Sequence, residues 1–259
     1  MKKHILDLTV TKVEAPAPAF VLLCMRPKQG RLPECAPGQF AQLRVDAPDV
    51  FLRRPISIHD VQGDEVSFLV QTVGKGTQWL AQLHEGDTVS AVMPLGRGFS
   101  VGVAKDVLLV GGGVGVAPLF LLGKVLKDNG LRPTFLLGAR TKDMLLRLRA
   151  FQDVGDVFVT TEDGTLGERG FVTQHSVWKE RKFDLIQTCG PGPMMKAVAR
   201  MARELGIPCE ASLENRMACG VGACLCCVET MSDGHNHCVC TEGPVFDTRL
   251  LTSPEGEAW

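Results

Sequence analysis

Six of the ten cysteines in this 259-residue chain fall within its last 41 residues, at positions 219, 224, 226, 227, 238 and 240. The others, Cys24, Cys35, Cys189 and Cys209, are scattered. A disulfide framework would be spread through a small secreted domain, whereas a local cluster in a larger chain points to metal. The cluster reads Cys219-Gly-Val-Gly-Ala-Cys224-Leu-Cys-Cys227, followed at a distance by Cys238 and Cys240. That spacing, C-x4-C-x2-C and a distant cysteine, suits a loop wrapped around a [2Fe–2S] cluster. Thiolates must reach such a cluster from several sides, and Gly220 and Gly222 let backbone N–H groups approach its sulfides. The candidate ligands are Cys219, Cys224 and Cys227, with Cys238 and Cys240 competing for the fourth place. Cys226, next to Cys227, is expected to point elsewhere. Two blander readings stand beside this one: plain free thiols, or a zinc site built on Cys224 and Cys227 and completed from His235, His237, Cys238 and Cys240.

A second constraint lies upstream. Val107–Val110 is a short, wholly apolar run of the kind found in buried parallel strands. Gly111-Gly-Gly-Val-Gly-Val-Ala-Pro118 follows it directly, and a helix is expected from about Ala117 to Asn129 with Gly130 as its cap. Gly111, Gly112, Gly113 and Gly115 would then present backbone N–H groups and a helix N-terminus to a pyrophosphate. The match to G-x-G-x-x-G is imperfect, because Val116 stands where the last glycine would be, and a tight packed turn is the bland reading. Thr188-Cys-Gly-Pro-Gly-Pro-Met-Met195 repeats the arrangement, so Cys189, Gly190 and Pro191 join the candidate nucleotide residues. Cys189 either is a small buried residue or lines a nicotinamide pocket. Strand-like runs at Thr134–Leu137, Val157–Thr160 and Asp184–Thr188 alternate with helical stretches such as Pro193–Leu205, which predicts a mostly parallel α/β domain.

Residues 1 to about 100 read differently. Ala19–Cys24, Phe40–Val45, Pro55–His59 and Val66–Gln71 are short strand-like runs punctuated by Pro and Gly, as in an antiparallel barrel or sandwich. One helix is expected near Thr77–Leu83. Arg54-Pro-Ile-Ser57, Leu69-Val-Gln71 and Gly74-Lys-Gly-Thr77 gain weight together. Gly76 and Thr77 would offer donors to a phosphate that Arg54 neutralises. His59 reads as a surface or structural histidine rather than a catalytic one.

Charge excludes some classes of function. With 28 Lys and Arg against 29 Asp and Glu the chain has no footprint for nucleic acid or an anionic membrane. The uncharged run from Val107 to Gly123 holds five glycines and Pro118, which suits strand, loop and helix better than a bilayer span. No long apolar core follows the first lysines, so no signal peptide is expected and the protein reads as cytoplasmic.

In this order the motifs resemble the ferredoxin reductase-like flavoproteins. Glu214-Asn-Arg-Met-Ala-Cys219 through Cys224, with Cys240-Thr-Glu-Gly-Pro-Val-Phe246, is similar to the electron-transfer subunits of dihydroorotate dehydrogenase B. The resemblance implies a β plus α/β multidomain fold: an antiparallel FAD-binding β-barrel (1–100), a parallel-sheet NAD-binding domain (101–208) and a small [2Fe–2S] segment (209–259). It implies that Arg54, Pro55, Ile56, Ser57, Leu69, Val70, Gln71, Gly76 and Thr77 serve FAD, and that Cys240 is the fourth cluster ligand. Wider relatives carry an aromatic residue where Ile56 stands. The chain has no Tyr, so something apolar such as Ile56 must cover the flavin.

Division of labour among such cofactors is set by chemistry. A nicotinamide exchanges a hydride, a cluster exchanges single electrons, and FAD can do both. The expected function is therefore electron transfer among NAD(H), FAD and a [2Fe–2S] cluster, with no catalytic acid or base in this chain. The resemblance implies a partner: an FMN-containing catalytic subunit that oxidises dihydroorotate to orotate in pyrimidine biosynthesis, in a heterotetramer of two copies of each. The alternative is a flavin and iron–sulfur subunit of another NAD(P)H-linked complex, such as a ferredoxin:NADP oxidoreductase. Arg140 leaves NADP open. A zinc-stabilised binding protein and a self-contained reductase are the remaining readings.

Overall fold

The computed structural model describes residues 2–252 and Trp259; most of the polar tail expected at 253–259 lies outside the described residues. Six strands, β1 (His4–Ala17), β2 (Phe20–Pro27), β3 (Phe40–Leu43), β4 (Arg54–Gln62), β5 (Glu65–Gln71) and β6 (Thr88–Leu95), close into an antiparallel barrel in the order β1-β2-β5-β4-β3-β6. Alternation builds its interior, since side chains two apart share a face. Val21, Leu23 and Met25, then Ala41 and Leu43, then Val66, Phe68 and Val70, then Val89, Ala91 and Met93 all enter one core. The short helix α1 (Lys75–Ala81) interrupts between β5 and β6.

The second body is a seven-stranded sheet ordered β10-β9-β8-β7-β11-β12-β15. Its strands are β7 (Val107–Gly112), β8 (Thr134–Ala139), β9 (Asp156–Thr161), β10 (Glu168–Arg169), β11 (Leu185–Cys189), β12 (Cys209–Ser212) and β15 (Val245–Asp247). All neighbours are parallel except β12 and β15. Helices α2 (Ala117–Asp128), α3 (Leu148–Val154), α4 (Val177–Glu180) and α5 (Gly192–Glu204) pack on it. The sheet thus takes in residues 209–212 and 245–247, beyond the expected break at 208. Between them the chain leaves to form the cysteine-rich lobe, whose only regular element among the described residues is the hairpin β13 (Val228–Thr230) and β14 (Asn236–Cys238).

Barrel and sheet share a core. Phe20, Leu22 and Leu69, on the outer faces of β2 and β5, pack with Val107, Leu109, Leu119, Phe120 and Leu122. Helix α2 is apolar nearly all round because it is caught between the sheet and the barrel, which Leu121 enters. His59 lies in this seam, wholly buried, so the surface reading is corrected and the structural one stands. Arg147 is a cation and can only donate, here to His59 Nε2 at 2.6 Å, so Nδ1 carries the proton and donates to the Ala117 carbonyl at 2.8 Å. The ring stacks on Phe120. Burial, then Arg147, hold its pKa down to about 3.

Candidate functional site

The two glycine turns meet. Gly111 on β7 and Cys189 on β11 sit side by side in register. A Cβ on Gly115 would collide with the backbone of Cys189 and Gly190, and one on Gly190 would meet the Gly112 backbone at 3.1 Å. Glycine is therefore required by close backbone approach, and both helix starts, α2 and α5, open at the carboxyl edge of the sheet. This is where parallel α/β sheets take their ligands. Beside Gly190 and Gly192 lies a cavity of about 340 Å³, walled by Lys196, Glu214, Asn215 and Glu229 and bordered by Trp259. Cys189 is buried and its thiol pKa is pushed up by that burial, then by Glu214. Burial also raises Glu214 itself. Spacing could not have singled out Lys196 or Glu229, since they arrive from α5 and the β13 hairpin.

The candidate flavin residues fall on one side of the barrel. Arg54, Pro55, Ile56 and Ser57 run along β4 and are each half-buried. A Cβ on Gly76 would strike the Arg54 guanidinium, so strand and helix start are in contact as their pairing in the sequence suggested. The helix begins two residues before Thr77, with Gly74 as its cap. The Thr77 hydroxyl closes that turn, donating to the Gly74 carbonyl at 3.0 Å and accepting from the N–H of Val73 at 2.9 Å and of Gly74 at 3.1 Å. Its proton is spent there, which leaves the first-turn backbone N–H groups to face an anion. Val70 points into the barrel core and Leu69 into the seam. Of this stretch the main chain and the half-buried Gln71 remain to meet a ligand.

Around the thiols the backbone does most of the shaping. Gly220 and Gly222 take φ of +69° and +84°, and Leu225, a residue with a Cβ, takes +57°. The N–H groups of Val221 and Cys224 each donate to Cys219 Sγ at 3.4 Å. Led by the Val221 N–H, they lower the Cys219 thiol to about 6. The N–H of Cys240 donates to Cys227 Sγ at 3.4 Å. Cys227 and Cys240 are buried, Cys224 and Cys226 exposed, and Cys238 partly so. Burial, then the neighbouring Cys227 thiol, push Cys240 up to about 12. The thiols thus stand as two interacting pairs, Cys219 with Cys224 and Cys227 with Cys240.

Among the described residues no three His, Cys, Asp or Glu side chains converge on one point. Two pairs with N–H groups aimed at their sulfurs suit two bridged irons better than one zinc, and cationic iron would remove the penalty that keeps Cys240 protonated. Cys240 is paired with Cys227 through its N–H, while the N–H of Cys238 donates to Glu242 at 2.6 Å.

Barrel, parallel sheet and paired thiols together define a ferredoxin reductase-like flavoprotein with an iron–sulfur lobe. Residues 214–252 match a family model described as the iron–sulfur cluster binding domain of dihydroorotate dehydrogenase B. The chain is 42% identical over 219 residues to the electron transfer subunit of dihydroorotate dehydrogenase B (NAD(+)) of Shouchella clausii, covering 81% of this chain and 84% of that one. It is 39% identical to the subunit of the same name from Caldanaerobacter subterraneus, with the same coverage. Among solved structures, one from work on an NADH-dependent reduced ferredoxin-NADP oxidoreductase matches with TM-score 0.85 and 34% identity, over 96% of this chain and 91% of that one. The ferredoxin reductase of carbazole 1,9a-dioxygenase shares the fold, with TM-score 0.67 and 21% identity over 80% and 68%. The chain belongs to the family of dihydroorotate dehydrogenase B (NAD(+)) electron transfer subunits. It is an oxidoreductase subunit that uses FAD, NAD(H) and a [2Fe–2S] cluster. No helix of the described residues is long and apolar enough to cross a membrane.

Proposed function

We propose that this subunit carries electrons between NAD(H) and an FMN-containing catalytic subunit that oxidises dihydroorotate to orotate, in a cytoplasmic heterotetramer of two copies of each. Cys219, Cys224, Cys227 and Cys240 hold the cluster. Arg54, Pro55, Ile56 and Ser57, the main chain of Leu69 to Gln71, and the helix start at Gly76 and Thr77 hold FAD. Gly111, Gly112, Gly113 and Gly115 with Cys189, Gly190 and Pro191 form the NAD(H) turn. When bound, FAD supplies the exchange between hydride and single electrons. The chain's own residues position, shield and charge-match. Arg54 meets a phosphate, Ile56 covers an apolar ring, and the buried Cys189 keeps water from the nicotinamide side.

One observation carries the reading most. The thiols Cys227 and Cys240 share a core with Phe40 and Leu95 of the barrel, Met195 of α5 and Ala211 of β12, so the cluster lobe is built against both other domains. The test is orotate-dependent NADH oxidation by the protein isolated with whatever chain co-purifies. Activity that disappears when that chain is stripped away is expected. NADH reduction of flavin and cluster with no response to orotate in the intact complex would move the subunit to another NAD(P)H-linked assembly, which the likeness to the ferredoxin-NADP oxidoreductase favours as the second reading.

A further inference from the structure

On β3 the side chains of Ala41 and Leu43 enter the barrel, while Phe40, on the opposite face, joins the core of the cysteine lobe with Cys227 and Cys240. Gln42 shares the face of Phe40 and is 0% exposed. In the barrel it lies between Pro55 of β4 and Val92 of β6, and its carbonyl accepts from Arg53 Nη1 at 3.3 Å. Its carboxamide is unpaired: neither Nε2 nor Oε1 has a partner, the one side chain among the described residues with both polar atoms buried and unmatched. The side chain reaches the cysteine loop, with Cγ at 2.7 Å and Nε2 at 3.0 Å from where a Cβ of Gly220 would be. Gly220 follows Cys219. A buried amide is expensive to leave unpaired, so a partner is expected on this side of the barrel.

We infer that Gln42 is a positioning residue for the iron–sulfur centre, its Nε2 donating a hydrogen bond to a sulfur of the cluster held by the neighbouring loop. The inference rests on the assignment of Cys219, Cys224, Cys227 and Cys240 as ligands. A sulfur bearing negative charge is a strong acceptor, and a donor beside it stabilises the more negative, reduced state. Gln42 therefore holds the cluster potential up. Because its strand neighbour is Pro55, it does so between the flavin strand and the cluster loop. Gly220 is glycine both for its positive φ and because a side chain there would occupy the place of the carboxamide.

The test uses the chain purified with its flavin, cluster and partner. Iron, sulfide and the EPR signal of the reduced cluster are measured first; an unmodified protein without a cluster would sink the ligand assignment itself, and the inference with it. Gln42→Met keeps the length without the donor, and Gln42→His keeps an N–H. With equal cluster content, redox titration of Q42M is expected to show the cluster's reduction equilibrium about tenfold less favourable, ~59 mV for one electron. The flavin potentials should be unmoved, and Q42H should restore the native cluster value. Equal cluster potentials in Q42M and the unmodified protein, or a shift confined to flavin, overturn the inference. Should Q42M not fold, side-chain 15N-glutamine in the unmodified protein decides. A hyperfine coupling of that nitrogen to the reduced cluster supports the bond, and its absence overturns it.

Discussion

The molecule contains two glycine-rich loops that lean on different properties of the same residue, although Gly113 in the first also takes positive φ and Gly220 in the second also makes room for Gln42. In the loop at Gly111–Gly115, glycine removes bulk: Gly111, Gly112 and Gly115 each sit where a Cβ would meet packed neighbours. At Gly220 and Gly222 glycine supplies positive φ, so that the chain can curl around a centre it does not itself contain. The first loop is set by protein packed on both sides. The second is held by long N–H to sulfur contacts and leaves Cys224 and Leu225 exposed. A preformed nucleotide turn and a metal-dependent lobe thus share one chain, and perturbing each should leave the other standing.

The sharpest break of that comparison is Cys240→Ser. It should abolish the cluster, with iron per chain falling to near zero and the EPR signal lost, while FAD content and NADH reduction of flavin persist. Limited proteolysis should then cut between Ser212 and Val245. Loss of flavin together with iron would show that the two regions are not independent. Gly115→Val should do the reverse: weaken NADH binding at least tenfold and cost about 1–3 kcal/mol in urea unfolding through overpacking, with the EPR signal unchanged.

A smaller effect comes from the seam. His59 is held neutral in the fold, with a pKa near 3 against 6.5 unfolded. Its depressed pKa means that stability is full above about pH 6.5 and falls as pH drops toward 3, because the unfolded chain takes the proton first. The slope approaches ~1.4 kcal/mol per pH unit from this group alone. His59→Gln should flatten the acid limb in pH-dependent urea unfolding. An unchanged limb would remove His59 from the account of acid sensitivity.

What could be read in the sequence was whatever repeats locally. The run from Val107 through Gly130 gave strand, loop, helix and cap because each signal lies within a few residues of the next, and α2 ends at Asp128, one residue from expectation. Strand β1 was harder. It lay outside that reading although Leu8 and Val10 face inward and alternate with Asp7, Thr9 and Thr11 in the period of a one-sided strand. Arg54 beside Gly76 was legible as motif order. The fate of the Thr77 hydroxyl was not, because it depends on where the helix begins. Contacts between distant segments were invisible: Gly115 on Gly190, Arg147 on His59, Gln42 on Gly220. Nor does composition reveal that Cys209–Ser212 and Val245–Asp247 pair, for neither stretch has enough length to announce a strand.

That last pairing has a kinetic meaning. The cysteine lobe departs from one strand of the sheet and returns as its edge neighbour, with the Leu213 N–H donating to the Pro244 carbonyl at 2.8 Å and the Arg97 N–H of the barrel side donating to the Gly243 carbonyl at 2.5 Å. Both ends of the excursion are therefore clamped, and the carrier cannot swing on a tether between donor and acceptor. Electron passage inside this subunit is that of a fixed wire rather than a ferry, so its rate should be indifferent to solvent viscosity. Any gating by motion belongs to the arrival and departure of nucleotide at the carboxyl ends of β7 and β11.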